Sequence, residues 1–232
     1  MTQTTTSILR PPYDTANMPF GIKRLPLSSK GYPVPWFVDR AAPLKDGDFD
    51  FRIMDHDRLK LAIRERRCWV CGLRMTTEEA TFVAGPMCGI NRNSAEPPCH
   101  AVCAEWAAQA CPFLTMPKRV RDERGLPPEA TVAGIAITRN PGVVMLWASR
   151  NYKPYKPPGG GILFDIGDPV PYGVEWFCQG RAATRAEVIG SINTGLPLLL
   201  KEANMEGPEA CFELGCATAN FMQYVPPGEP TT

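Results

Sequence analysis

Residues 55–67 place apolar side chains at Leu59, Ala62 and Ile63 with charges between them. This is the i, i+3, i+4 spacing of a helix that buries one stripe. Residues 80–84 form a short run of β-branched and apolar residues and predict a strand, with residues 85–98 read as a loop. A second helix is expected from about Pro98, where the proline gives up no needed N–H, to Cys111, since Pro112 disfavours α geometry in the residue before it.

The second half of the chain has a different pattern. Residues 131–138 and 143–148 read as strands joined by the turn Asn140-Pro141-Gly142, and residues 162–164 and 174–178 as two more. Gly159-Gly160-Gly161 fits a hairpin tip, not a phosphate loop, since it neither ends in Gly-Lys-Ser/Thr nor opens a helix. Thr184-Arg185-Ala186-Glu187 is a capping box that starts a helix with Val188, Ile189 and Ile192 on its apolar face. Gly195-Leu196-Pro197 is expected to break that helix, which restarts over residues 198–203. The elements add up to an α+β fold, a small antiparallel sheet covered by helices. No repeat at a fixed period is present.

Proline refines this organisation. With 25 prolines the chain needs extended connections. Residues 18–50, including Leu25-Pro26-Leu27 and Gly31-Tyr32-Pro33-Val34-Pro35-Trp36-Phe37-Val38, read as an extended Pro/aromatic arm laid on the core. Residues 1–17 and 223–232 are expected to be tails, residues 51–125 a metal module, and residues 126–222 the sheet and its helices.

Charge and hydropathy exclude some functions. Lys+Arg number 25 against 24 Asp+Glu, so the whole surface is not built for indiscriminate binding to nucleic acid or anionic membranes. Residues 51–125 hold twelve Lys/Arg against nine Asp/Glu, a local excess that permits a phosphate-facing surface. No run approaches the roughly 18 apolar residues that span a bilayer, and the first residues lack a secretory pattern. A cytoplasmic, reducing location is expected, in which nine cysteines act as thiols or metal ligands.

The cysteine spacing carries the chemistry. Cys68-Trp69-Val70-Cys71-Gly72 puts two thiols on one tight turn, and His100 and Cys103, three apart at a helix start, face one side of that helix. Together they form a closed Zn2+ site, Cys68, Cys71, His100 and Cys103, with no open position for a catalytic water. Cys99 or Cys88 remains an alternative ligand, and so does Cys111, eight positions beyond Cys103; Cys178, Cys211 and Cys216 read as core thiols. A nucleobase deaminase is excluded, because Pro98-Cys99 is followed by a cysteine at the wrong gap and His56 has Arg58 where Glu is required. His56 reads as a surface residue at a helix start.

Gly85-Pro86-Met87-Cys88, Ser94-Ala95-Glu96-Pro97-Pro98 before His100 and Cys103, Cys111-Pro112-Phe113-Leu114, Arg139-Asn140-Pro141-Gly142 and Gly180-Arg181-Ala182-Ala183-Thr184 together resemble a group of uncharacterised bacterial and phage-encoded proteins. The resemblance implies a phage or prophage context and carries no reaction. The turn, strand and His-x-x-Cys helix also resemble a treble-clef zinc finger, so the fold expected is a treble-clef-like module packed on the sheet.

The function expected is a zinc-stabilised, non-enzymatic protein that acts on nucleic acid or a nucleic-acid-handling complex. Its phosphate contacts would come from Arg64, Arg66 and Arg67 and from Lys118, Arg119 and Arg121. One alternative is a protein-interaction module that docks on a host protein through Trp36 and Phe37. Another is an enzyme whose cleft uses Glu96, Asp165 and Asp168.

Overall fold

A computed structural model describes residues 13–41, 48–76, 78–116 and 140–228. The expected strand at 131–138 and Lys118, Arg119 and Arg121 lie outside them. The described chain is mixed α and β, with two antiparallel sheets and helices packed on them.

The first half contains α1 (Phe20–Lys23), α2 (His56–Glu65), β1 (Ala80–Ala84), α3 (Pro86–Asn91), β2 (Asn93–Ser94), α4 (Ala101–Ala110) and α5 (Pro112–Thr115). Asp55 caps α2 by accepting from the Asp57 and Arg58 N–H groups, and Leu59 and Ala62 bury the expected stripe. Residues 85–98 are not a plain loop, because Pro86 opens α3, a short helix with four buried residues, and β2 follows. The second helix starts later than expected: His100 is its N-cap and Ala101 its first residue.

The second half contributes β3 (Val144–Ser149), β4 (Lys153–Tyr155), β5 (Leu163–Asp165), β6 (Pro169–Cys178), β7 (Arg181–Ala182), α6 (Arg185–Glu206), α7 (Pro208–Phe221) and a 3-10 turn, Met222–Tyr224. The larger sheet runs β1-β3-β6-β7 and the smaller β2-β5-β4. β1 pairs with β3 from Ala80 opposite Ser149 to Ala84 opposite Met145, so the edge strand β1 lies beside a segment far along the chain. β6 extends past the expected 174–178 because it bends at Tyr172, which has positive φ, and Gly173, where a Cβ would lie 2.5 Å from Val170.

Thr184 and Glu187 form the expected capping box, but Pro197 does not end α6. Pro197 is exposed, so the carbonyl that loses its helical partner lies where water can reach it, while Gly195, Leu199 and Ala203 stay buried on the opposite face. The helix after it, α7, packs against α6. Of its residues only Phe221 is fully buried, leaving Cys211 half-buried and Cys216 exposed, against the expectation that both are core thiols; Cys178 is buried.

The core centres on Trp147, Phe82, Phe164, Phe221 and Met145. Trp147 donates to the Gly167 carbonyl at 3.2 Å and Trp176 to the Tyr224 carbonyl at 2.8 Å, so both indoles are buried with their N–H groups satisfied. α3 lies against α6 and α7, and Gly89 gives Phe221 its space. The arm covers the first half of the molecule. Val34 and Val38 are buried, Phe37 stacks on Trp69 at 5.1 Å, Trp36 meets Trp69 edge-on, and Arg58 of α2 donates to the Trp36 and Val38 carbonyls.

Candidate metal centre

The first pair of candidate ligands sits on a turn closed by backbone bonds. Arg67 pairs with Arg74, the Cys68 N–H donates to the Leu73 carbonyl at 2.8 Å, and the Gly72 N–H donates to the Cys68 carbonyl at 2.8 Å. Gly72 is required twice over. Its φ is +74°, and a Cβ there would lie 2.5 Å from the Trp36 ring. The arm is fastened to the same turn by the Trp36 N–H, which donates to Val70 at 2.7 Å, while Gly21 leaves room for Cys71 Sγ, only 2.8 Å from where its Cβ would be. Trp69, between the two cysteines, points away from the sulfurs into the aromatic layer of the arm.

The second pair comes from the start of α4. His100 is in extended geometry as N-cap and Cys103 is in the first turn. Cys71 Sγ lies 3.4 Å and Cys103 Sγ 3.9 Å from His100 Nδ1, and the ligand atoms of Cys68, Cys71, His100 and Cys103 all lie within 4.8 Å of one another. A tetrahedron with Zn–S near 2.3 Å and Zn–N near 2.0 Å has edges of roughly 3.5–3.8 Å, so the spacing fits this metal. His100 Nε2 lies 3.2 Å from the Arg74 carbonyl. Donating its proton there leaves the Nδ1 lone pair turned toward the sulfurs. The His100 backbone N–H reaches Cys68 Sγ at 3.4 Å.

The four donors shift one another's proton affinity. Hydrogen bonds from Cys103, Cys71 and Cys99 hold the Cys68 thiol far below its ordinary range. Cys103 is driven up by its bond to Cys68, and His100 is pushed up to about 10 by Cys68 and Cys71. Cys68 is thus favoured as thiolate and Cys103 as thiol. A divalent ion permits all the thiolates and a neutral imidazole to coexist in the same volume.

The alternative ligands are not among the four grouped residues. Cys99 is buried and bonds to Cys68, yet its backbone is tied to Thr81 by a pair of hydrogen bonds at 2.7 and 2.9 Å, and it stands outside the four-atom group. Cys88 is in α3, and Cys111 is the C-cap of α4. His56 opens α2 at the surface.

The basic residues before the turn divide by role. Arg67 binds Glu65 at 2.7 Å and the Gly72 carbonyl at 3.0 Å, bracing the turn. Arg64 is exposed and pairs with Glu65 at 3.0 Å. Arg66, the left-handed cap of α2, donates to the Glu78 carbonyl and lies over the Tyr152 ring at 5.8 Å. Trp36 and Phe37 are packed against Trp69, while Glu96, Asp165 and Asp168 do not line the described cavity that Arg66 borders.

Sequence reasoning missed the Arg74 carbonyl and the contacts of Gly21 and Trp36, since no local pattern marks which distant segment will close over a turn. No family model, curated protein or solved structure matches this chain. Among the described residues no helix is long and apolar enough to cross a membrane.

Proposed function

We propose that the protein holds a structural Zn2+ ion on Cys68, Cys71, His100 and Cys103 and is a non-enzymatic binding protein that engages nucleic acid through the arginines beside this centre. The observation that carries the metal is the convergence of the four donor atoms within 4.8 Å, with three of the four residues buried. All positions of the tetrahedron are protein atoms, so zinc would supply cross-linking and charge neutralisation and no activated water. The order of turn, strand and ligand-bearing helix supports a treble-clef-like module, in which the Thr81–Cys99 bridge takes the place of a local hairpin.

Support for nucleic acid comes from Arg66, Arg74 and Arg150, which are exposed along the segments that close the metal turn and border it. The setting we assign is a bacterial cytoplasm with a phage or prophage gene. It rests on the motif resemblance and on nine thiols with no disulfide among them.

Elemental analysis of the purified protein tests the metal. Equimolar zinc is expected, lost in Cys71→Ser and His100→Ala, and zinc retained in both variants would overturn the assignment. Titration of labelled oligonucleotides at low salt tests the partner: absence of binding to single strands and duplexes of both DNA and RNA would sink the nucleic-acid reading.

A further inference from the structure

Beside the metal turn is a cavity of about 180 Å³. One wall is the end of α2 with Arg66, the second is Pro97 and Pro98 ahead of the ligand His100, and the third is Arg150 and Tyr152 after β3, with Phe164 of β5 also lining it. Its volume is well under the roughly 300–1,000 Å³ of pockets that enclose whole drug-sized ligands, so it suits a single ring. Its lining is mixed, with proline faces and the rings of Tyr152 and Phe164 beside the polar groups of two arginines. Guanidinium groups border it from two sides.

We propose that this cavity receives one unstacked nucleobase of a single-stranded nucleic acid, with the flanking phosphates on Arg66 and Arg150. The inference rests on the nucleic-acid reading above and makes it specific in strand type and site. Aromatic and guanidinium faces stack any base, and arginines at the rim take the backbone charge that a base carries with it. Tyr152 is half-buried, its hydroxyl is pushed up by burial and stays protonated at neutral pH, and among the described residues it has no hydrogen-bond partner. Arg66 is already over its ring.

One rim arginine is held by an acid. Arg150 pairs with Glu79 at 2.5 Å, with both side chains about half exposed. Such an exposed pair is weak and is exchanged readily for a phosphate. The second wall depends on the metal turn, because the Trp69 N–H between the two cysteines donates to the Pro98 carbonyl at 3.2 Å.

The test is fluorescence anisotropy at low salt with labelled oligothymidylate, oligouridylate and a duplex of equal length. Single strands of either sugar are expected to bind more tightly than duplex. Tyr152→Leu should weaken them about 5- to 100-fold through lost stacking. Arg150→Gln should weaken binding and lower the salt slope by about one, and Glu79→Gln should tighten it by freeing Arg150. Melting curves identify any variant that has lost its fold. Tyr152→Phe, which keeps the ring, should retain most of the affinity and guards against a merely structural effect of the leucine. Equal binding of wild type, Tyr152→Leu and Arg150→Gln would overturn the pocket and leave nucleic-acid binding elsewhere on the surface. Binding to duplex alone would also overturn it, and absence of all binding would remove both readings.

Discussion

Replacing Gly72 by alanine tests the metal turn at the point where backbone and packing demands coincide. A non-glycine residue at φ +74° is strained by roughly 1–2 kcal/mol. The new Cβ would also stand 2.5 Å from two atoms of the Trp36 ring. The Trp36 backbone is fixed by its N–H bond to the Val70 carbonyl and its ring meets Trp69 edge-on, so overpacking adds about 1–3 kcal/mol. The combined ~2–5 kcal/mol falls on the geometry of Cys68 and Cys71. Structural zinc sites are worth about 10–16 kcal/mol at neutral pH, so the site should survive with weaker affinity. At 1.4 kcal/mol per tenfold, the loss is about 30-fold to several thousand-fold in zinc Kd. Chelator competition measures this directly. A double-mutant cycle with Trp36→Ala separates the two causes: the clash disappears with the indole and the φ strain remains, so the coupling should be about 1–3 kcal/mol. Wild-type zinc affinity in Gly72→Ala would refute the reasoning, and zero coupling would refute the part assigned to Trp36.

Two further predictions concern helices α3 and α6. Gly89→Ala should destabilise by about 1–3 kcal/mol, because its Cβ would lie 2.8 Å from Met145 Cε and 2.9 Å from Phe221 Cζ inside the core, whereas Gly190→Ala in α6, with no neighbouring atom within 4 Å, should stabilise by about 0.5–1 kcal/mol. Urea unfolding of the pair checks the opposite signs. Glu187 is held well below the ordinary carboxylate range by Arg181 and by the Thr184 N–H, so the stability it gives is present above its unfolded value near 4.5 and is lost as pH falls through its lower folded value. Glu187→Gln should therefore cost about 0.5–1 kcal/mol at neutral pH, and the difference from wild type should shrink on acidification in melts across that range.

The sequence was most legible where a feature is complete within a few residues. The Asp55 cap with its Leu59/Ala62 stripe, the capping box at Thr184 and the run 80–84 each contain their own reason to form, and the structure has all three. The convergence of Cys68, Cys71, His100 and Cys103 was legible because their spacing is the kind that brings two pairs of donors to one point. What escaped depends on distant segments. α3 is six residues with a glycine at its centre and is helical because β3, α6 and α7 enclose it. α7 has weak amphipathic character, with Gly, Cys and Ala on the side that stays open, so the general tendency of cysteine to be buried misled for Cys211 and Cys216. Pro197 was given its ordinary meaning as a helix breaker, and its solvent-facing position removed most of the reason for a break.

The long pairing of β1 with β3 has a consequence for the order of events at the ribosome. When residues up to Ala110 have emerged, all four candidate ligands are present, but the strand that must lie beside Ala80–Ala84 begins only at Val144. On the proposed zinc site, the nascent chain would be competent to take metal before it is competent to close its sheet. During that interval β1 presents an open edge, and a turn already locked by zinc would hold α4 near it and confine the search that the late-arriving partner must make.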